Sequence, residues 1–362
     1  MEIFKISNLL AIQFGFFLAM ILCALVTRPS RVFGLVDRPG GRKRHARPVP
    51  ITGGVAMFAA FSLCLPFLNA SILPFASLII GMGFLLAVGL LDDLEDLAVP
   101  TKLLAQVVAA LLMTSWGGVQ IHSLGNLFGN GPVLLGEWSI PFTVACTVLM
   151  INAINMADGF DGLAGGMSAV VIFWLGLAGW SNGAGPVFVG ICFLLVSVIL
   201  GFLVYNLRNP WRRRAAIFMG DSGSMMLGFA IAWLAVHLTQ TPTATVYPIS
   251  VAWLLVLPVI DAVSIGIRRI LKGRSPFAAD REHLHHLMVR AGFSVRGAVA
   301  WLIALTFLFG AIGLMGWALA WPEPILFVVV ASFFLIHLMV TARAWRFIRW
   351  LRRLARPGTL PH

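Results

Sequence analysis

A helix needs about 20 apolar residues to cross a bilayer, and this chain supplies such runs repeatedly. About eleven qualify by that rule, centred on Phe16, Phe61, Phe84, Val108, Ala145, Phe173, Leu194, Ile231, Leu254, Leu308 and Val330. The narrowest division lies between Phe61 and Phe84, where Asn69 and Pro74 mark a tight turn. A soluble core is excluded by composition: 59% of the 362 residues are hydrophobic and only 11% are charged, against about 25% charged in a soluble domain. The expected fold is an all-α polytopic integral membrane protein. The first run starts almost at Met1 and shows no cleavage site before the basic loop, so it reads as a membrane helix and not a removed signal. Cys23, Cys64, Cys146 and Cys192 each lie inside an apolar run without a CxxC partner. They read as lipid-side or packing residues, not disulfides or metal ligands.

Lys and Arg set the orientation of such a chain. With the N-terminus periplasmic, all of them except Lys5 fall in cytoplasmic loops or in a cytoplasmic C-terminal tail. The net charge of +12 is then chiefly topological and does not imply nucleic acid. The expected organisation is one transmembrane catalytic domain, 1–342, with cytoplasmic loops at about 28–50, 92–101, 156–163, 206–222 and 271–296. A basic tail, 343–362, carries Trp345 and Trp350 among its arginines and reads as a helix lying on anionic lipid. The longest outer loop, 117–138, has Gly-Asn-Gly between short β-type runs, a hairpin signature.

The acidic residues gather on the same inner side. Asp92 and Asp93, in the stretch LDDLEDL, end the third run, with Asp96 one turn on. Acidic charge at a helix C-terminus opposes the macrodipole, which argues against mere decoration. Asn152, Asn155, Asp158 and Asp161 recur every third residue, a polar stripe that leads from a membrane helix into a turn with Gly159 and Gly162. The spacing superficially resembles an EF-hand loop, but the later glutamate and a second soluble helix are missing. Gly220-Asp221-Ser222-Gly223-Ser224 opens another run. It suits either a phosphate cradle of backbone N–H groups or an ordinary N-cap. His283, His285 and His286 lie with Arg281 and Arg290 in one inner loop. Zinc is disfavoured, because neither HExxH nor a cysteine partner is present; a cationic, hydrogen-bonding patch for a diphosphate fits better. Asp261, just after Pro258, either aims that loop or is a buried structural acid. Lys43, Arg44 and His45 are candidates for a lipid phosphate, although topology alone accounts for their charge.

These segments, in this order on one membrane face, resemble the polyprenyl-phosphate N-acetylhexosamine-1-phosphate transferases over essentially the whole chain. That family carries LDDxxD, NxxNxxDGxDGL and FxGDxGS segments and a histidine-rich inner loop. Here they are residues 91–96, 152–163, 218–224 and 280–286. DREHLHHLMVRAGFS is similar to the WecA type, which uses UDP-N-acetylglucosamine (UDP-GlcNAc); Leu284 interrupts the consecutive histidines of the MraY type. The resemblance implies undecaprenyl phosphate as acceptor, Mg²⁺ or Mn²⁺ as cofactor, residence in the bacterial inner membrane, and a role early in O-antigen-like glycan synthesis; a homodimer is consistent with it. Asp92 and Asp93 match the family's essential pair, Asp158 and Asp161 its second acidic motif, and Asp221 its main metal-ligand aspartate, with Asp92 and Asp93 assisting. The nucleotide-sugar set is Asn152, Asn155, Asp158, Arg281, His283, His285, His286 and Arg290. The implied reaction moves GlcNAc-1-phosphate from UDP-GlcNAc to the lipid phosphate and releases UMP. Another UDP-N-acetylhexosamine is the nearest alternative. A phosphosugar or cation transporter is a more distant one, since transporters place their sites near the bilayer midplane.

Overall fold

The computed structural model describes residues 6–37, 48–68, 71–210, 212, 214–241, 245–273, 275 and 283–342. The tail beyond 342, together with Lys43, Arg44, His45 and Arg281, lies outside the described residues. The first helices are α1 (Ile6–Val32), α2 (Gly53–Cys64), α3 (Ala76–Glu95) and α4 (Val99–Leu111). There follow α5 (Ser139–Ala157), α6 (Leu163–Asn182), α7 (Pro186–Asn206) and α8 (Gly220–Gln240). The chain continues through α9 (Pro248–Leu271), the short α10 (Leu284–Ala291), α11 (Val295–Ala318) and α12 (Glu323–Ala342).

Each of the eleven expected centres falls on one of these helices. Among the described residues, ten helices are long and apolar enough to cross a membrane. The eleventh, around Phe61, is a shorter apolar helix, Gly53–Leu68. Its α-helical part stops at Cys64 and tightens into a 3₁₀ turn that contains Pro66, as expected where proline cannot donate its N–H. The loop 117–138 forms the expected small hairpin, with Ser123 bridging Leu134 and Leu124 N donating to the Val133 carbonyl.

Helix α8 is the axis of the bundle. Of its membrane-length window 89% is buried, against 11% for α12, and it packs on α2, α3, α5 and α6. With lipid tails as apolar as leucine, such packing depends on close fit, and small residues supply it. A Cβ on Gly89 of α3 would lie 2.4 Å from the Ser222 Cα. Only glycine there lets α3 run against the backbone of the first turn of α8. That approach brings Asp92 and Asp93, one turn on, beside Asp221.

Helix ends decide the rest. Asp96 terminates α3 in the left-handed region at φ 53°, a conformation that Asp tolerates better than most residues. Pro100 then opens α4, where its missing N–H costs nothing. The chain reverses within a few residues, and Lys102 on α4 returns to the end of α3.

Candidate active site

Three segments meet at one end of the bundle. Asp92 is buried at 7% exposure. Its Oδ1 accepts the Leu97 N–H at 2.8 Å and its Oδ2 accepts Lys102 Nζ at 2.9 Å. The same ammonium lies 3.6 Å from Asp221 Oδ2. Two carboxylates from helices far apart in sequence therefore share one cation. On the other side of Asp221, Asn155 Nδ2 donates to Oδ1 at 2.9 Å and to Ser224 Oγ at 2.9 Å. That amide fixes the Asp221 rotamer and leaves Oδ2 turned toward Lys102.

Asp93 does something different. Its Oδ1 and Oδ2 accept the backbone N–H groups of Asp221 and Ser222, at 3.0 and 3.3 Å. It serves as a capping residue for α8 from another helix, satisfying N–H groups that a helix start leaves unpaired. The adjacent pair of aspartates thus divides its work: Asp92 faces the cation, and Asp93 anchors the helix that carries Asp221.

The stripe from Asn152 to Asp161 is helical only over its first half. Helix α5 ends at Ala157, and Asp158 is its C-terminal cap. Asn152 is drawn into the bundle, where its Nδ2 donates to Gln106 Oε1 at 2.6 Å. Asp158 is half-buried. Burial first, then the neighbouring Asp221, Asp93 and Asp161, push its carboxyl well above the usual carboxylate range. Asp161 turns outward: Arg208 Nε donates to its Oδ2 at 2.7 Å and the Ala215 N–H at 3.1 Å. It ties the turn to the segment after α7.

The histidines pack over this turn. His283 Nδ1 lies 2.9 Å from Asp261 Oδ2, and Leu284 N donates to Asp261 Oδ1 at 3.0 Å. His337 on α12 approaches the same carboxylate, with Nε2 3.7 Å from Oδ1. His285 stacks on His283 and meets Phe160 edge-on, with centroids 4.7 Å apart. His286 also contacts Phe160. A Cβ on Gly159 would sit 2.5 Å from His285 Nε2, so this glycine is what lets the loop close on the turn. The imidazole of His285 is 3% exposed, and its pKa is pushed down to about 3 by burial, then by His286 and His283. It is a neutral packing ring. Arg290 is half-buried on α10.

One residue escapes a reading of motifs. Lys102 looks like one more topological lysine until the reversal at Asp96 returns it to Asp92. Asp261, expected either to aim the histidine loop or to be a buried structural acid, holds His283 across 22 residues of chain.

The donor set suits a hard divalent cation. Asp92 and Asp221 offer carboxylate oxygens that already share the Lys102 ammonium, and Asp158 lies close enough to feel the charge of Asp221. Among the described residues, no three acidic, histidine or cysteine side chains form a ready coordination sphere. A site with two carboxylates can still hold an ion such as Mg²⁺, which takes one or two carboxylates and completes its shell with water and substrate phosphates.

Residues 75–239 match the profile of glycosyl transferase family 4. The chain is 36% identical to the undecaprenyl-phosphate α-N-acetylglucosaminyl 1-phosphate transferase of Haemophilus influenzae, over 94% of this chain and 96% of that protein. It is 33% identical to the protein of the same name from Yersinia pestis, over 98% and 97%. The Escherichia coli O157:H7 protein of that name is 34% identical, over 90% and 89%.

Proposed function

The chain belongs to glycosyl transferase family 4, and we propose that it transfers GlcNAc-1-phosphate from UDP-GlcNAc to undecaprenyl phosphate. The products are undecaprenyl-diphosphate-GlcNAc and UMP, the first lipid-linked step of a cell-surface glycan. The observation that carries this reading is the convergence of Asp92, Asp158 and Asp221 at one end of the bundle, with Asp92 and Asp221 sharing the Lys102 ammonium. The placement of Lys and Arg supports a cytoplasmic position for that end, in the bacterial inner membrane, where a nucleotide sugar is met.

One phosphoanhydride is exchanged for another, so the barrier is chiefly the approach of an anionic phosphate to an anionic diphosphate. Catalysis is then alignment and charge neutralisation. Asp221 and Asp92 would hold Mg²⁺, or Mn²⁺ in its place. When bound, the ion supplies charge neutralisation at the diphosphate. Asn155 keeps Asp221 in its rotamer, and Asp93 keeps the start of α8 where Asp221 needs it. Lys102 adds a positive charge at the same place. Asp261 holds the Nδ1 side of His283, which leaves Nε2 as the ring nitrogen available to the sugar diphosphate. Asp161 fixes the turn that carries Asp158.

The second pKa of a phosphate monoester is about 6, so the lipid phosphate is largely dianionic at neutral pH and needs no strong base. Its oxygen attacks the phosphorus attached to the sugar; the bond to UMP breaks, and UMP leaves with the electron pair. The carboxylates of Asp92 and Asp93 are engaged by Lys102 and backbone amides, which favours direct attack over a phospho-aspartyl intermediate. The test is UMP release by purified protein from a panel of UDP-sugars. Release that requires lipid phosphate and prefers UDP-GlcNAc is expected. Preference for another UDP-N-acetylhexosamine would reassign the sugar, and release without the lipid would overturn direct transfer.

A further inference from the structure

A second feature lies on the other side of the catalytic turn. A cavity of about 500 Å³ opens between α6 and α11. Its long wall is apolar, formed by Val170, Val299, Ala300, Ile303, Ala304 and Phe307. Its head, at the same end of the bundle as the carboxylates, is lined by Asp161, Arg208 and Arg296. Among the described residues, Arg208 spends only Nε, on Asp161, and Arg296 spends only one Nη, on the Asn209 carbonyl at 2.7 Å. Two guanidiniums facing one carboxylate leave a net positive charge with several N–H donors over an apolar strip. The strip runs along α11 from Val295 to Phe307, about 18 Å at 1.5 Å per residue. That is close to one leaflet of hydrocarbon, about 15 Å.

We propose that this groove is a binding site for an anionic membrane phospholipid, with its phosphate on Arg208 and Arg296 and one acyl chain along α11. Charge selects an anionic head group, because guanidinium–phosphate hydrogen bonds are charge-assisted and directional. Length selects an ordinary acyl chain, because a polyisoprenoid chain far exceeds the strip. The bound lipid bridges α11 to the segment after α7, which holds Asp161 and so the turn that carries Asp158. This site shares Asp161 with the catalytic turn but does not depend on the proposed reaction.

The test uses full-length protein in nanodiscs of phosphatidylcholine with a minority of phosphatidylglycerol, followed by gentle extraction and native mass spectrometry. Wild type is expected to retain a single phosphatidylglycerol per chain. Ala304→Trp, which fills the exposed strip without touching the core, should lose it. Arg296→Gln should weaken retention about tenfold, the worth of one charge-assisted bond. Phosphatidylglycerol should raise the thermal midpoint of wild type but not of Ala304→Trp. Equal retention by wild type and Ala304→Trp would overturn the proposal, as would indifference to head-group charge. Arg296→Gln sits on the surface and keeps the test valid even if the tryptophan variant folds poorly. Displacement of the lipid by added polyisoprenoid phosphate would also overturn it, by giving the groove to the acceptor.

Discussion

Lys102→Met removes the cation that Asp92 and Asp221 now share. The ammonium is 2.9 Å from Asp92 Oδ2 and 3.6 Å from Asp221 Oδ2. Breaking a buried ion pair costs about 3–5 kcal/mol, because a charge is left unpaired. Here the Lys102 and Asp221 side chains are 25% and 37% exposed, so water screens part of that loss and about 2 kcal/mol is the better figure. If Asp92 and Asp221 are the divalent-ion ligands, the ion and Lys102 compete for the same oxygens. The variant should then be less stable than wild type without Mg²⁺, yet gain more from it, since ligand that binds only the folded state stabilises by mass action. The assay is a matched pair of thermal scans in nanodiscs, with EDTA and with a Mg²⁺ series. Without Mg²⁺ the midpoint of the variant should fall; at high Mg²⁺ most of the gap should close, at a lower half-saturating concentration than in wild type. Identical Mg²⁺ responses, or equal stability in EDTA, would refute a shared seat.

Three other perturbations separate the roles assigned above. Asp158 has a raised folded pKa, so its contribution to stability is present below the ordinary carboxylate pKa of 3.8 and is lost as pH rises toward the folded value; above 3.8 the group destabilises the fold. Asp158→Asn should therefore unfold at a higher temperature than wild type at neutral pH while turnover falls, and the gap should shrink as pH falls toward 3.8 and close below it; a variant less stable at neutral pH would contradict this. His285 is the opposite case: its pKa is depressed from 6.5 to about 3, so its contribution is complete above pH 6.5 and drains as pH falls toward 3. His285→Phe should flatten that acid branch of the stability profile, and an unchanged branch would assign the titration elsewhere. Asp261→Asn loses the charge that holds His283, worth about 1.5–3 kcal/mol, so KM for UDP-GlcNAc should rise roughly tenfold to a hundredfold with KM for the lipid unchanged; equal effects on both would make Asp261 merely structural.

The apolar runs could be read because a helix surrounded by lipid must be apolar along its whole length, whatever it packs against. The same reasoning predicts where Asp92, Asp158 and Asp221 sit along the membrane normal, since each closes or opens such a run. It says nothing about which oxygen faces which partner. Asp93 turns to the amides of α8 only because Gly89 permits α3 to touch that helix, a contact across more than a hundred residues. Lys102 becomes a counterion through a reversal at Asp96, whose left-handed conformation no spacing rule predicts. The even spacing of Asn152, Asn155, Asp158 and Asp161 suggests one shared face, yet the helix ends at Ala157 and Asp161 swings to Arg208. His283, His285 and His286 were legible as a cluster, but their division into a held ring and a packing ring depends on Asp261 and Gly159, which come from other segments.

The most direct measurement is electron paramagnetic resonance of Mn²⁺ added to purified protein with UDP-GlcNAc. The account predicts phosphorus hyperfine coupling from the diphosphate to protein-bound Mn²⁺, lost in Asp221→Asn although the protein stays folded. Coupling that survives unchanged in Asp221→Asn, or bound Mn²⁺ without any coupling to phosphorus in wild type, would contradict it.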